Sequence, residues 1–484
     1  MSLLLAGCAT PQLAERHRSH AAFGAYLRGL MLERSAKLPD ALQAYRLALE
    51  HDRHSAQLNV RIGATQLKLG EPEKALQAFR RALEIEPNQP DALRWVAMLY
   101  TSQGKLDQAI EAYERLLAVQ PDDPFLMSTL ADLYVLQGKL PQGIDLYHRL
   151  IREIGSTSQL HFNLGVLHGR LNQFDEAIQE LSRAFELSPD SLDVRIALGL
   201  TYELSGRLDQ AAAHYEDAIH LDSLNPRLYH HAARVHLNAG HFAQAAEHYQ
   251  AILEIAPRDL EAVMGLVRVW LNQRRFHDAE LFLARELEAL DDPPELYVAL
   301  GIVYREAQQH EEALRAFERA IAHKPDYAQA HFYLAAQLDQ LGRRPAAIAT
   351  LRRTLELDPH HPDAMNYLGY LDAESGENLT EARTLIERAL ELDPDNGAYL
   401  DSLGWVYYKM GRFEEATRTL ERAAGLLDTD PTVFEHLGEV CFKRRNWDGA
   451  RHDSQRALEL DQTLTDIREK LERLPKAQEV VHTP

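Results

Sequence analysis

The side chains best suited to metal or acid–base chemistry are crowded into one segment, residues 230–248. This segment contains His230, His231, His236, His241 and His248. A zinc site needs several ligand atoms at about 2 Å from one ion. His230 and His231 are adjacent and therefore diverge on a helix, and His236 stands where an aromatic residue recurs elsewhere in the chain. We therefore predict packing and surface histidines, and no metal site.

Cysteines and catalytic motifs offer little more chemistry. The chain has two cysteines, Cys8 and Cys441, which make neither a disulfide framework nor a CxxC pair. Cys441 also occupies the recurrent aromatic position, so we expect it to be buried as a small hydrophobic residue. The motifs GxxxxGKS/T, HExxH and GxSxG do not occur. We predict that the protein is not an enzyme and has no catalytic residues and no cofactor.

The overall charge of the chain argues against nucleic-acid binding. The 484 residues carry a formal charge of −21, which would repel the phosphates of a nucleic acid. The sequence also contains no apolar run of about 18 residues, so we expect no membrane span beyond the N-terminus. At this length, several domains or an extended array of repeats are more common than one compact core.

An internal repeat accounts for most of the chain. Fragments such as EKALQAFRRALEIEP (73–87) and EEALRAFERAIAHKP (311–325) share an alanine, an aromatic or aliphatic residue four positions later, and a final proline. The spacing between these anchoring alanines is 34 residues throughout, except for 35 between the tenth and eleventh repeats, and Gly143 fills the fourth position. The alanines are Ala41, Ala75, Ala109, Ala177, Ala211, Ala245, Ala279, Ala313, Ala347, Ala382, Ala416 and Ala450.

A second small residue, usually glycine or alanine, lies twelve positions before each anchor. Val267 breaks this rule in the eighth repeat, and Gly369 lies one residue further from its anchor, which locates an insertion near Glu377 and Asn378. Each repeat therefore predicts two helices, A and B, that approach closely at the small residues. Glycines such as Gly70 and Gly342 stand where helix A ends, and prolines such as Pro325 follow helix B.

This pattern resembles the tetratricopeptide repeat. The ninth repeat carries the family's characteristic residues at Gly301, Tyr304, Ala313, Phe317, Ala320 and Pro325. The resemblance implies an all-α, right-handed superhelical solenoid of about 13 helix–turn–helix repeats. It also implies a protein-binding scaffold whose A helices line a concave groove.

The resemblance and the flanking sequences give five predicted segments. These are a truncated lipoprotein-type signal (1–8), a polar tether (9–21), thirteen repeats (22–464), a capping helix (465–475) and a flexible tail (476–484). The capping helix is predicted because Leu464, Ile467, Leu471 and Leu474 form an apolar stripe that would cover the last repeat.

Two sets of residues fall on the predicted groove-facing stripe of the A helices. The first contains Arg227, His230, Arg234, Arg268 and Arg305, which could bind carboxylates of a peptide or an anionic polymer. The alternative is that Glu261, Glu295 and Glu306 neutralise these arginines within the protein. The second set belongs to the last three repeats, where aromatic residues with polar neighbours resemble an interaction hot spot. It contains Asn366, Tyr370, Asp401, Trp405, Tyr408, Glu435 and Phe442. The alternative for this set is burial between repeats or against the cap.

The N-terminus bears on where the protein works. Leu5-Ala6-Gly7-Cys8 is similar to the processing site of bacterial lipoproteins, although the basic start and longer apolar core of such a signal are missing. We expect Met1 to lie within a longer precursor, Cys8 to carry the lipid, and the protein to face the periplasm from the outer membrane. The partners would be a protein or peptide in the groove and the membrane at Cys8, in a role such as assembly or export of a pilus, polysaccharide or outer-membrane protein. A cytosolic adaptor and a docking or regulatory subunit of a separate enzyme remain open, and the oligomeric state is undetermined.

Overall fold

The computed structural model describes residues 11–474, with side chains from residue 20 onward, and this part of the chain contains twenty-seven α-helices joined by short turns. The predicted signal with Cys8, residues 9–10 and the tail 476–484 lie outside the described residues. None of the described helices is long and apolar enough to cross a bilayer. The predicted all-α class is confirmed.

The helices fall into two compact bodies, residues 1–239 and 240–484. The first body contains α1 (Pro11–Arg34), α2 (Leu38–His51), α3 (Ala56–Lys68), α4 (Pro72–Ile85), α5 (Pro90–Ser102), α6 (Leu106–Val119), α7 (Pro124–Leu136), α8 (Leu140–Ile154), α9 (Ser158–Arg170), α10 (Phe174–Leu187), α11 (Leu192–Leu204), α12 (Leu208–Leu221) and α13 (Pro226–Asn238).

The second body begins with helix B of repeat 7. It contains α14 (Phe242–Ile255), α15 (Leu260–Asn272), α16 (Phe276–Ala289), α17 (Pro294–Glu306), α18 (His310–His323), α19 (Ala328–Gln340), α20 (Arg344–Leu357), α21 (Pro362–Ser375), α22 (Leu379–Leu392), α23 (Gly397–Lys409), α24 (Phe413–Leu426), α25 (Pro431–Lys443), α26 (Trp447–Leu460) and α27 (Thr465–Glu472). In chain order, α1 to α26 are thirteen A–B pairs, and α27 follows as the cap.

Where helix A has glycine at its small position, the two helices of the hairpin make a close contact there. A methyl group added at Gly301 would lie 2.4 Å from Cε1 of Phe317, and one added at Gly63 would lie 2.6 Å from the same atom of Phe79. Both rings are fully buried. In repeat 8, Val267 replaces the small residue, and the close approach of α15 is made to the preceding repeat, where a methyl group at Gly265 would lie 2.3 Å from the ring of Tyr249 on α14. The small residues therefore set the distance between packed helices.

The turn between helices A and B has a recurrent conformation. The residue before the N-cap of helix B has a positive φ in most repeats, which is 74° at Gly342 and 68° at Gly104. Where the sequence offers no glycine, Gln308 (61°) and Arg274 (56°) adopt the same left-handed conformation. Repeat 11 contains the inserted residue, and there Asn378 (50°) is left-handed in addition to Gly376.

Polar contacts cap the A helices and also connect one repeat to the next. The residue before most A helices accepts a hydrogen bond from the backbone of that helix, as Ser55 and Asp259 do, which satisfies an otherwise unpaired N–H group. An arginine of helix B donates to the carbonyl at the end of the preceding repeat, as Arg149 does to Pro121 at 2.9 Å and Arg422 to Pro394 at 2.7 Å. Successive A helices, such as α21 and α23, also touch directly.

The two ends of the array differ from the predicted boundaries. Helix α1 begins at Pro11, so residues 11–21 are helical and do not form the predicted tether. A proline at the first helical position, followed by no other proline or glycine before Gly24, favours this extension. The cap helix α27 ends at Glu472, three residues before the predicted end at residue 475. Ile467 of this helix and Leu474, which follows it, are both buried.

The close contact at Gly301 gives a direct test of the fold. We expect Gly301→Leu to lower the free energy of unfolding by about 1–3 kcal/mol, because the side chain must displace a buried ring. The measurement is urea unfolding followed by circular dichroism. Gly425→Leu is the matched control, since nothing lies within 4 Å of a methyl group at that position. Equal effects of the two substitutions would contradict the packing described here.

Candidate interaction surface

The predicted arginine strip is divided between the two bodies. Arg227 and His230 lie on α13 with Arg234, whereas Arg268 lies on α15 and Arg305 on α17. The structure therefore brings the first three together on one helix and places the other two on neighbouring A helices of the second body. Arg227 and Arg268 are exposed.

Two of these arginines are engaged by carboxylates. The guanidinium of Arg234 donates two hydrogen bonds to Glu203, at 2.9 and 3.1 Å, in a bidentate pair. Arg305 pairs with its neighbour Glu306 at 3.1 Å, as the internal ion-pair alternative requires. The guanidinium of Arg305 also lies 5.7 Å from the centre of the Tyr333 ring.

The last three repeats place a stack of rings on their A helices. Trp405 of α23 stacks on Tyr408 with ring centres 4.6 Å apart, and on His436 of α25 at 4.1 Å. Tyr408 is one helical turn beyond Trp405, whereas His436 belongs to the next repeat. The half-buried rings of Trp405 and Tyr370 pack against one core cluster, so protein contacts on one side fix the orientation of each ring.

Carboxylates border this ring stack. The Trp405 indole N–H donates to Glu374 at 2.6 Å. Asp401 lies 2.8 Å from Nδ1 of His436, and both of these side chains are buried. The ammonium group of Lys409 lies 4.9 Å from the centre of the Trp405 ring and 3.8 Å from Glu374. The surface therefore already holds one cation against an aromatic face and a carboxylate.

The pKa values of the Tyr370 and Tyr408 phenols are raised in this region. Burial, followed by the charges of Glu374 and Asp401, raises the pKa of the Tyr370 phenol to about 12. Burial, followed by the charge and hydrogen bond of Glu439, raises the pKa of Tyr408 to about 12. Both phenols therefore stay neutral throughout the physiological pH range, and the O–H group of Tyr408 is already engaged by Glu439.

The remaining predicted residues lie at the edges of the ring stack. Glu435 and Phe442 line a small cavity of about 20 Å³ under the cap helix, where Lys470 of α27 pairs with Glu439. Phe442 is 41% exposed and meets the Trp447 ring edge-on at 5.5 Å. Asn366 is half-buried, and its Oδ1 atom has no hydrogen-bond partner in the structure. Glu435 and Phe442 thus line a cavity together with Ile467 and Lys470 of the cap helix.

The structure adds residues that the sequence did not single out. His436 and Glu374 join the ring stack through contacts with the neighbouring A helices, and no motif in either repeat marks them. On the first body, Met98, Val166 and Leu200 are exposed at the ninth position of their A helices. The sequence signal for these three was an apolar residue at a predicted groove-facing position.

The thirteen A–B pairs and their exposed A-helix residues define a helical repeat scaffold of the kind that binds proteins. Two family models, both described as tetratricopeptide repeat, match the chain. One covers residues 26–92, 60–124 and 162–226, and the other covers 100–161, 236–300, 304–368 and 373–435. The chain therefore belongs to the tetratricopeptide-repeat family.

Individual relatives are distant. The chain is 26% identical over 183 residues to the TPR repeat-containing protein YpiA of Bacillus subtilis, an alignment that covers 38% of this chain and 43% of that protein. Among solved structures it is similar to the APC/C hetero-tetramer Cut9–Hcn1, with a TM-score of 0.42 and 16% identity over 84% of this chain and 88% of that one. It is also similar to yeast Tom70, with a TM-score of 0.42 and 15% identity over 94% of this chain and 95% of that one.

Proposed function

We propose that this protein is a non-catalytic scaffold that binds a partner protein on the A helices of repeats 11 to 13. The observation that supports this proposal is the stack of Tyr408, Trp405 and His436 beside the carboxylates of Glu374 and Asp401. Fixed aromatic rings provide large contact areas at little cost in side-chain entropy, which is typical of interaction hot spots.

The chemistry of this surface favours a basic partner segment. Lys409 shows how a cation is accommodated, because its ammonium group contacts both the Trp405 ring and Glu374. A lysine or arginine of a partner would find the same kind of combination of an aromatic face and a carboxylate, and the neutral phenol of Tyr370 adds a hydrogen-bond donor. The formal charge of −21 would also attract such a partner over a longer range.

A double substitution tests the proposed binding surface. We expect Trp405→Ala combined with Tyr408→Ala to abolish most capture of partner proteins by site-directed photo-crosslinking from position 370 in the native cell. Helicity should stay close to that of the wild type, because both rings are half-exposed on the helix surface. Phe125→Ala, which removes an aromatic ring that is 66% exposed on the first body, is the control and should leave capture unchanged. Undiminished capture by the double variant would exclude this surface.

We also propose that the scaffold is a lipid-anchored protein of a bacterial envelope that assists assembly or export of an envelope component. The Leu5-Ala6-Gly7-Cys8 sequence supports this, with Cys8 as the acylated residue. More than one acyl chain is needed for a stable anchor, at about 0.8 kcal/mol per buried methylene group. A cytosolic adaptor, or a docking subunit of a separate enzyme, is the competing role, and both share the same binding surface.

Cell fractionation distinguishes these locations. Expressed from the full-length gene, the wild-type protein should sediment with membranes, whereas Cys8→Ala should move to the supernatant because it cannot be acylated. Release of the wild type by detergent but not by high salt would show that the attachment is through lipid. Equal solubility of wild type and Cys8→Ala would favour the cytosolic adaptor.

A further inference from the structure

Helix α1 presents an apolar stripe to solvent. Phe23, Leu27 and Met31 are 60%, 39% and 69% exposed. They are four residues apart and therefore share one side of the helix. Large apolar residues grouped on a surface in this way mark an interaction site more often than single exposed ones do.

Comparison with the later repeats shows that Met31 is exposed at a position that is buried elsewhere. The position of Met31 is buried in all of them. Examples are Leu99 (8% exposed), Leu133 (3%), Val235 (0%), Val269 (0%), Leu371 (0%) and Val440 (0%). Each later A helix packs against a B helix that precedes it, as α3 does against α2 and α17 against α16. Within residues 11–474, no B helix precedes α1.

The charge of α1 indicates what could cover this face. The helix contains four arginines, Arg16, Arg18, Arg28 and Arg34, against two glutamates, although the whole chain carries a formal charge of −21. Arg28 replaces an aliphatic residue that is buried in later repeats, such as Leu130 (2% exposed) or Leu164 (0%). A helix that combines basic residues with an apolar stripe is suited to an anionic lipid surface.

We propose that α1 docks on an anionic phospholipid membrane. Phe23, Leu27 and Met31 enter the boundary between headgroups and acyl chains, and the exposed Arg28 and Arg34 lie close to the lipid phosphates. This docking adds to the proposed anchor at Cys8 without depending on it, because it uses residues of the folded chain. Where Cys8 is acylated, α1 begins only three residues later, so both would hold the same membrane.

A second copy of the chain fits this face less well. Antiparallel pairing of two α1 helices about Leu27 brings Arg18 and His20 of one copy near Arg34 and Lys37 of the other. Parallel pairing places each arginine of one copy beside the same arginine of the other copy. Either arrangement gathers like charges, which repel one another, whereas a layer of lipid phosphates neutralises them.

Vesicle co-sedimentation with full-length Cys8→Ala protein tests the proposal without an acyl chain. The probes are vesicles of phosphatidylcholine alone and of phosphatidylcholine mixed with phosphatidylglycerol. We expect several-fold more protein on the anionic vesicles, with the bound fraction falling as salt is raised. Phe23→Ser combined with Met31→Ser should lower binding several-fold. Leu136→Ser combined with Leu204→Ser, which alters residues of the same body that are 71% and 67% exposed, should not.

Other outcomes would overturn the proposal. Equal binding to neutral and anionic vesicles would remove the role of the arginines, and undiminished binding of the Phe23/Met31 variant would remove the apolar stripe. A concentration-dependent dimer in analytical ultracentrifugation that this variant abolishes would assign the face to a second copy instead. Because the protein tested carries Cys8→Ala, a lack of vesicle binding would not count against the proposed lipid anchor. Equally, a failure of the anchor in cell fractionation would not count against vesicle binding by α1.

Discussion

The structure depends on one steric constraint, repeated along the chain. A glycine or alanine of helix A lies against the ring or branched side chain that follows the anchoring alanine of helix B, as Gly301 lies against Phe317 and Gly199 against Tyr215. Where this residue is glycine, as at Gly301 and Gly199, a methyl group would already overlap the facing ring. This contact fixes the distance between the two helices of a hairpin, and the left-handed residue in the turn fixes the direction in which helix B returns.

This constraint also leaves the binding surface available. Because the small residues and the anchoring alanines take up the faces between helices, the remaining positions of helix A can vary without disturbing the hairpin. Repeats 11 to 13 use these positions for Trp405, Tyr408 and His436, while repeats 3, 5 and 6 use them for Met98, Val166 and Leu200. In our proposal, helix packing and partner binding therefore use separate positions of the same repeat.

The fold could be predicted from the sequence because its main contacts are local. The residues that meet in the Gly301–Phe317 contact are close in the chain and recur with a fixed period, so the pattern itself reveals the contact. The candidate site was predicted in outline, since Trp405 and Tyr408 occupy positions of known orientation on helix A. The residues that contact Trp405 from adjacent repeats, His436 and Glu374, were not predicted. Their distance from Trp405 depends on how α21, α23 and α25 pack. Similarly, the carboxylate that binds Arg234 is Glu203 of the preceding repeat, which was not among the acids predicted to neutralise it.

The ends of the array were the hardest part to predict. Residues 11–21 of the predicted tether (9–21) are helical, because polar residues of α1 are compatible with a helix and the repeat pattern carries no information outside its own boundaries. Met31 is also exposed at a position that is buried in the later repeats. Both differences lie in α1, which no B helix precedes within residues 11–474.

The central claim is that each repeat is an independent module of 34 residues that contacts only its neighbours. Its most direct test is circular dichroism during thermal unfolding of a variant lacking residues 294–327, which removes α17 and α18 and joins α16 to α19 in phase. Our account predicts unchanged helicity per residue and a cooperative transition, because α19 can pack on α16 as it does on α18. An out-of-phase deletion of residues 294–320 should lose both. Loss of helicity or cooperativity in the in-phase variant would contradict the modular account.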